Sequence, residues 1–546
     1  MSGDTSLVRI SQCSEIAERW LSGISAPSPM TLDADVIIVG SGPAGAAAAL
    51  ELSKITEVLM LDVGHSAPEE SPDVDRFAEL LGERLEGMSI ISEPYLSPKL
   101  RSPLFRYVTR SWRELSPINS SEFKGELSLA LGGLANAWGS GLYEFDDMDL
   151  RGFPISYSEL QPFYLSLTKH IGISGGGDEV ASLLGSRECL LPPMPLAGAL
   201  KALYGHSQRP KMKMFLHQNG IHIGRQRLGI LTEPHRGRPA YSFDGKDFFR
   251  PWKAAIYNPA YTVRELEALG KLRLRRGVLV KQFEEFPDRV RVDAVDISSG
   301  QPVEFSARRL LLGAGAINSA RIVLQSFKDY STRLPMLENP ISFIPFIHFA
   351  SLGSDSKENS FTGAQLALMF DGPEHRDRVQ GSFYNLSGVL SSDFLFDFPF
   401  SASGNLFCLA KILGAMAVLQ MYYSDAPNPA SFLSLRTEGV LELHCPARRF
   451  GKVEGKLINA LRKMGFWSAP FLVRYAEGGS SFHYAGTLPM REAGDSIGFS
   501  TDRFGRLNRC KHVYVVDASS FPLLPAKNLS LTIMANAMRI ASKLVL

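Results

Sequence analysis

The chain has 546 residues, of which 45% are hydrophobic and 21% charged, and its formal net charge is +2. One ordinary hydrophobic core does not accommodate this length, so two or three domains are expected. The composition is that of a globular protein, and the near-neutral charge gives no indication of nucleic-acid binding. The five cysteines lie far apart and form no Cys-x-x-Cys pair, which argues against a disulfide framework and a zinc site.

The first 32 residues are predicted to form a polar N-terminal extension packed on the surface. Residues 1–30 carry Arg9, Glu15, Glu18 and Arg19 and lack the apolar stretch of a secretory signal. A cytoplasmic location is therefore predicted.

A dinucleotide-binding βαβ unit is predicted directly after the extension. An apolar strand leads into a glycine turn of the form G-x-G-x-x-G, and an alanine-rich helix and a second strand ending in an acid follow. In such a unit the glycines permit a tight turn, close approach of a pyrophosphate and close helix packing, and the acid accepts ribose hydroxyls. The elements are strand 35–39, the glycines Gly40, Gly42 and Gly45, helix 46–53, strand 58–61 and Asp62.

A second glycine-rich stretch covers residues 126–143 (ELSLALGGLANAWGSGLY). Its glycine density allows close approach of the backbone to a flat or phosphorylated ligand. A flexible loop is the alternative, and the interleaved Leu131, Leu134 and Trp138 argue against it. A helix is predicted to begin within 153–164.

Residues 206–253 are locally basic. A solvated surface is the first interpretation. Attraction to an anionic substrate or to a phospholipid surface is the alternative.

The middle of the chain is predicted to add a strand to the sheet of the dinucleotide-binding unit. After a helix over 261–270, three strand-like runs predict a small antiparallel sheet. A buried strand over 309–312 then leads into GAGAINSARIVLQS. There Gly313 and Gly315 open another strand-to-helix turn that points backbone towards a nucleotide-sized ligand. The three runs are 272–280, 289–298 and 302–306.

From residue 334 to 479 the pattern predicts a mainly antiparallel sheet. Within this region the apolar segment 394–423 is interrupted by Asp397 and Lys411. A membrane span needs about 20 uninterrupted apolar residues, so none is predicted. A core helix is the first interpretation, and a peripheral membrane contact or a wall for a lipidic substrate is the alternative. The strand-like pieces are 341–351, 362–370, 381–390 and 439–444.

The last segment, residues 481–546, is predicted to contain the reactive centre. A buried strand over 511–517 precedes a helix over 529–546, for which Ser530 or Asn528 is the candidate N-cap. His483 lies upstream of both elements. A helix N-terminus carries partial positive charge and unpaired N–H groups, which suit an electron-rich ring edge or an oxyanion.

Four blocks of the sequence together resemble the glucose–methanol–choline (GMC) flavin oxidoreductases. These blocks are VGSGPAG, GGLANAWG, LLGAGAINSARIVL and the closing HYAGT…VYVVDASSFPLLPAKNLSLTIMANAMRIA. GGLANAWG is closest in character to the pyranose-oxidase-like branch and to bacterial members associated with polysaccharide genes.

The resemblance implies bound FAD and oxidation of an alcohol. His483 matches the family's proposed base, Asn528 its second active-site residue, and Ala137 stands where some relatives carry the histidine that attaches FAD, so noncovalent FAD is predicted. The family's chemistry is proton abstraction by the base and hydride transfer to flavin N5. The cofactor-binding residues expected from the resemblance are Gly40, Ser41, Gly42, Pro43, Ala44, Gly45, Asp62, Gly132, Gly133, Asn136, Ala137, Trp138, Gly139, Val278, Gly313, Ala314, Asp517, Ala518, Asn528, Leu529 and Thr532.

The predicted fold is α/β, with a Rossmann-type FAD-binding domain and a second, mainly antiparallel-sheet substrate domain. The first domain is assigned to 33–155, 255–333 and 480–546, and the second to 156–254 and 334–479. The predicted activity is FAD-dependent oxidation of a sugar or other polyol, including an anionic or lipid-linked one, with the electron acceptor left open. A non-redox lyase of the hydroxynitrile type and a non-catalytic flavin-binding partner are the alternatives. No metal and no nucleic-acid partner are predicted.

Overall fold

The structure is a computed structural model that describes residues 32–73, 97–243, 250–353, 361, 363–372, 378–385, 399–492 and 498–545. The predicted N-terminal extension lies outside these residues, apart from Leu32. The strands are β1 (Ala34–Val39), β2 (Val58–Asp62), β3 (Ile118–Asn119), β4 (Ile221–Arg225), β5 (Leu272–Arg276), β6 (Val278–Glu285), β7 (Val290–Asp296), β8 (Pro302–Leu312), β9 (Leu334–Pro335), β10 (Leu337–Glu338), β11 (Ile341–His348), β12 (Leu366–Phe370), β13 (Val379–Asn385), β14 (Met416–Tyr423), β15 (Phe432–Leu435), β16 (Leu441–His444), β17 (Phe466–Trp467), β18 (Arg474–Tyr475), β19 (Tyr484–Ala485) and β20 (Val513–Val515). The α-helices are α1 (Pro43–Leu52), α2 (Pro98–Arg101), α3 (Trp112–Leu115), α4 (Tyr157–Ile171), α5 (Ala181–Leu184), α6 (Gly198–Ser207), α7 (Pro210–Gln218), α8 (Pro259–Ala268), α9 (Ala316–Ser326), α10 (Ala402–Ile412), α11 (Lys452–Lys463) and α12 (Ser530–Ala541).

The first sheet has the strand order β5-β2-β1-β8-β7-β6, and β20 also pairs with β8. Its parallel strands are buried on both faces, as the fully buried Val36, Ile37 and Ile38 of β1 illustrate. Helix α12 packs on α1 and α4 on one side, and α9 packs on β6 on the other. The helices therefore enclose the sheet from both faces.

Two strand predictions in the first sheet are wrong. The predicted strand 272–280 is two strands, β5 and β6, because Gly277 turns the chain with φ of 76°. The predicted strands 302–306 and 309–312 are one strand, β8, whose first half pairs antiparallel with β7 and whose second half pairs parallel with β1 and β20. The change of partners along β8 makes one strand look like two in the sequence.

The second sheet is antiparallel in the order β17-β11-β14-β13-β12-β4, and β18 also pairs with β11. One face is apolar and packs under α6 and α11, with Phe383, Leu419 and Met421 in that core. The other face carries polar side chains into the cavity described below. The sheet thus supplies a core on one side and a wall on the other.

The interpretation of 394–423 as a core helix is wrong in its second half. The helix α10 covers only Ala402–Ile412, and the following residues form β14, a central strand paired with β11 and β13. Strand β14 is almost entirely apolar because its alternate residues pack on the core and face the cavity. Phe407 of α10 is 67% exposed, and membrane contact by this segment stays a prediction.

The sheets and helices confirm the predicted α/β fold with a second, mainly antiparallel sheet. The domain boundaries stay a prediction. Within the described ranges, no helix has the length and apolar character needed to cross a membrane.

Close backbone contact fixes the first glycine turn against β8. A Cβ atom on Gly45 would lie 1.9 Å from the carbonyl oxygen of Gly40, and one on Gly40 would lie 2.5 Å from the carbonyl oxygen of Gly313. Gly40 also has φ of 95°, a conformation that side chains with a Cβ rarely adopt. The turn therefore accepts only glycine at these two positions.

We expect Gly45→Ala to lower the free energy of unfolding of the ligand-free protein by about 1–3 kcal/mol, because the helix must move away from the turn. Chemical denaturation followed by circular dichroism measures the change. Gly455→Ala in α11 is the matched control, since no atom lies within 4 Å of its added Cβ, and it should be neutral or stabilising by up to about 1 kcal/mol. Equal stability of Gly45→Ala and the unsubstituted protein would contradict the close contact.

Candidate active site

A cavity of about 690 Å³ lies between the first sheet and the polar face of the second sheet. Its walls include both glycine turns of the first sheet and the start of α12. Among the predicted site residues it is lined by Gly40, Ser41, Gly42, Pro43, Ala44, Asp62, Gly133, Ala137, Trp138, Gly139, Gly313, Ala314, His483, Asp517, Ala518, Asn528 and Leu529.

The first glycine turn forms an open cradle at one end of the cavity. A Cβ atom added to Gly42 would meet no atom within 4 Å, and Gly42 lines the cavity. The carboxylate of Asp62 accepts hydrogen bonds from the backbone N–H groups of Ser41 and Gly64, both at 2.6 Å. Burial raises the pKa of this carboxyl, while these N–H groups oppose the rise. An open backbone cradle beside an acid fits the pyrophosphate and ribose of a dinucleotide.

Asp517 joins the second glycine turn to the end of β20. Its carboxylate accepts hydrogen bonds from Gly315 N at 2.9 Å, from Ser319 Oγ at 2.5 Å and from Ser519 N at 2.9 Å. Burial raises the pKa of the Asp517 carboxyl. The carboxylate of Asp517 thus accepts its hydrogen bonds from groups within the protein, and it holds the Gly313–Gly315 turn in place at the cavity wall.

The glycine loop of residues 132–139 lies along the same cavity. Trp138 Nε1 donates to Tyr257 O at 3.0 Å, and Ala137 lines the cavity next to it. Asn136 holds the loop together by donating to Gly133 O at 2.7 Å and accepting from Tyr107 Oη at 2.9 Å. Of the described residues that line the cavity, His483 is the one histidine and none is a cysteine.

His483 is a buried ring at the cavity wall. Its Nδ1 is 2.9 Å from Oδ1 of Asn339, and its ring stacks on Tyr422 with a centroid distance of 5.1 Å. Burial lowers the pKa of His483 to about 3, and burial raises that of Tyr422. The imidazole is therefore neutral at physiological pH, and no described residue is hydrogen-bonded to Nε2.

Asn528 lies directly before α12. Its Oδ1 accepts a hydrogen bond from Ser530 N at 3.2 Å, so the helix start is bonded by this side chain. A Cβ on Gly141 would lie 3.5 Å from Nδ2 of Asn528. With its oxygen bonded to the helix, the amide is left with N–H donors for a ligand oxygen.

The polar face of the second sheet supplies the opposite wall. Alternate residues of β13, namely Gln380, Ser382 and Tyr384, line the cavity, as do Gln420 and Tyr422 of β14. Gln380 is buried, and its Nε2 donates to Gly381 O at 2.6 Å and to Ser382 Oγ at 3.0 Å. Its Oε1 has no partner. Strands β13 and β14 thus contribute amide and hydroxyl groups to this wall, and Arg474 of β18 in the same sheet also lines the cavity.

The structure does not bring five of the predicted site residues to this cavity. Gly45 lies beneath the first turn, and Asn136 is bonded within its loop. Gly132 contacts Asn258 and donates to Ser41 Oγ. Val278 lines a smaller space of about 70 Å³ that also touches Gly40 and Asp62. Thr532 is buried and bonded to Tyr164 Oη at 2.8 Å. Contact of these five residues with the cofactor stays a prediction.

Sequence analysis missed Gln226, Gln380, Gln420, Tyr422 and Asn339. The alternation of polar residues in VQGSFYN (379–385) is the signal that could have identified Gln380 and its wall. The apolar character of β14 concealed Gln420 and Tyr422. For Asn339 the sequence contains no signal, because its partner His483 is 144 positions away.

Lys527 belongs to a buried group of charged residues that lies outside the reactive part of the cavity. Lys527 is fully buried and bonded to Asp149 at 2.5 Å and to Asp146 at 3.1 Å. This ion-pair network holds the segment before Asn528 and leaves Lys527 closed to a substrate.

A surface cluster resembles a metal site. Ligand atoms of Glu179, His217 and His222 lie within 4.8 Å of one another. Oε2 of Glu179 is, however, bonded by both Lys213 and His217 at 2.8 Å. The cluster is thus explained as an ion-pair network.

Comparison with known proteins gives consistent results. Residues 470–537 match the family described as GMC oxidoreductase. The chain is 25% identical over 549 residues to the 6'''-hydroxyparomomycin C oxidase of Streptomyces lividus, covering 92% of this chain and 90% of that protein. Its fold is similar to that of pyridoxine 4-oxidase from Mesorbium loti, with a TM-score of 0.55 and 14% identity over 93% of this chain and 98% of the other.

These matches agree with the cradle, the acid and the buried histidine of the cavity. FAD is therefore the cofactor that the dinucleotide site takes. Residues 470–537 thus match the C-terminal part of the GMC oxidoreductases, and the chain is an FAD-dependent alcohol oxidoreductase.

Proposed function

We propose that this protein oxidises a hydroxyl of a sugar or other polyol to a carbonyl, with His483 as the base and Asn528 as the residue that orients the alcohol oxygen. The observation that carries the proposal is the position of His483. Its neutral ring lines the same cavity as the Gly42 cradle and Asn528, and its Nε2 is free of described partners.

FAD, His483 and Asn528 have separate roles in the proposed reaction. When bound, FAD supplies the acceptor for the carbon-bound hydride. The hydroxyl proton of the substrate passes to Nε2 of His483, because a neutral imidazole with a free lone pair accepts a proton. The amide N–H of Asn528 donates to the alcohol oxygen and fixes its direction.

The sheet wall supports a polyhydroxylated substrate. Gln380 and Gln420 line the cavity with amide groups, and Ser382 and Tyr384 line it with hydroxyls. The amide of Gln226 is bonded within the protein to Leu366 O, Ser382 Oγ and Tyr143 Oη. A buried acceptor without a partner, such as Oε1 of Gln380, costs about 1–3 kcal/mol. A substrate hydroxyl that donates to it removes this penalty.

Replacement of the base provides the first test. We expect His483→Gln to retain FAD and to lower the rate of anaerobic flavin bleaching by the active sugar by about 10²–10⁴-fold. The sugar is found beforehand by adding D-glucose, D-galactose, D-xylose and myo-inositol to the purified holoenzyme.

His444→Gln is the matched control, since His444 is a half-exposed histidine of β16 and should leave the rate unchanged. A His483→Gln protein that bleaches at the rate of the unsubstituted protein would contradict the proposed base.

The pH dependence follows from the burial of His483. Because its pKa is lowered from 6.5 to about 3, kcat/KM should show no acidic limb near the ordinary histidine value of about 6.5. An acidic limb between pH 6 and 7 that disappears in His483→Gln would contradict this expectation.

The lowered pKa of His483 also affects how the free energy of unfolding depends on pH. The folded pKa of His483 lies below the unfolded value, so between about pH 3 and 6.5 the unfolded chain binds the extra proton. The contribution of this group to stability therefore rises with pH through that window.

Attachment of the cofactor is tested by acid precipitation. With Ala137 beside Trp138 and no cysteine among the described lining residues, we propose noncovalent FAD and expect the yellow colour in the supernatant. Colour that stays with the pellet would contradict noncovalent binding.

A further inference from the structure

The strand register places Asn339 directly opposite His483. Strands β10 and β19 are antiparallel, with Glu338 paired to Tyr484, and Asn339 and His483 are the residues that directly flank this last pair. Asn339 is completely buried. Its Oδ1 is 2.9 Å from Nδ1 of His483.

The orientation of the Asn339 amide follows from its other bonds. Nδ2 donates to Tyr423 O at 2.8 Å and to Pro525 O at 2.9 Å, which uses both of its hydrogens. A reversed amide would place an oxygen against two carbonyl oxygens. Oδ1 must therefore face His483, and because it can only accept, Nδ1 of His483 must be the donor.

We propose that Asn339 is a positioning residue that holds His483 in the tautomer with its hydrogen on Nδ1, so that Nε2 keeps its lone pair for the substrate. This inference rests on the proposed function of His483. The same amide also holds the carbonyl of Pro525, three positions before Asn528. One side chain thus positions the base and the segment that carries its partner.

The neighbouring Glu338 holds the backbone on which the ring stands. Its carboxylate accepts from Gly479 N at 2.7 Å and from Ser481 N and Ser481 Oγ at 2.9 and 2.8 Å. Phe482, between this clamp and His483, has φ of 58°, a strained conformation for a side chain of this size. Glu338 therefore fixes the loop, and Asn339 fixes the ring.

The tautomer is measured directly on the holoenzyme by ¹⁵N NMR with labelled histidine. His483→Gln identifies the signals of His483. In the unsubstituted protein we expect one-bond N–H coupling at Nδ1 and none at Nε2. Coupling at Nε2 instead would overturn the proposal.

Two variants of Asn339 separate its hydrogen bond to the His483 ring from its bonds to the carbonyl groups of Tyr423 and Pro525. Asn339→Leu removes both, so the Nδ1–H signal should be lost or joined by an Nε2–H signal. Asn339→Asp keeps an acceptor for the ring but loses the donors to Tyr423 and Pro525, and the Nδ1–H signal should persist. An unchanged spectrum in a folded Asn339→Leu protein would overturn the proposal.

The spectrum is independent of turnover, so it separates this inference from the proposed function. If His483→Gln keeps full bleaching activity while the Nδ1–H tautomer is present, the proposed base fails and the geometry of the Asn339 contact stands. If the base is confirmed and the Nε2–H tautomer is found, the positioning role alone fails.

Discussion

The backbone contact between the Gly40 and Gly313 turns sets the position of the whole site. These turns end the adjacent parallel strands β1 and β8, and Gly313 N donates to Val39 O at 2.9 Å. Each turn opens a helix, and the first residues of α1, α9 and α12 all line the cavity. Three helix N-termini therefore bring partial positive charge to one place, which suits the anionic groups of FAD. A shift of either turn would displace the helix that it opens.

The second requirement is a histidine that stays neutral because it is enclosed by protein. Burial alone disfavours its charged form, and Asn339 is hydrogen-bonded to Nδ1 of the ring. The second sheet contributes the stacked Tyr422 and the amide-bearing wall. In the proposed reaction, His483 accepts the proton, Asn528 orients the alcohol oxygen and the polar face of the second sheet binds the rest of the substrate.

Sequence analysis predicted the parts of the site that depend on local chemistry. The first glycine turn, Asp62, the Gly313 turn and the helix after Asn528 can be located from spacing, because each needs particular residue types at adjacent positions. His483 and its chemistry came from the resemblance to a family. The β14 strand was missed because an apolar run has no periodicity that separates a buried helix from a strand with one face in the core and the other on a cavity.

Contacts between segments that are distant in the chain could not be predicted from the sequence. Thr532 and Asn136 have the residue types of ligand contacts, yet they bond Tyr164 and Tyr107 instead. Asn339 has no distinctive neighbours, and its role follows only from the pairing of β10 with β19. Such pairings are decided by the whole fold, since local propensity says little about which strands meet.

The changing partners of β8 also have a consequence for biosynthesis. Its first half is completed by β7, which precedes it closely in the chain, whereas its second half is completed by β1 and by β20, about 200 residues later. During translation this half of β8 presents an open edge until the last strand has emerged from the ribosome. Open strand edges attract other chains, and contacts of such long sequence separation form slowly. The topology therefore leaves this edge unpaired over the synthesis of about 200 residues, which is the period in which association with another chain competes with folding.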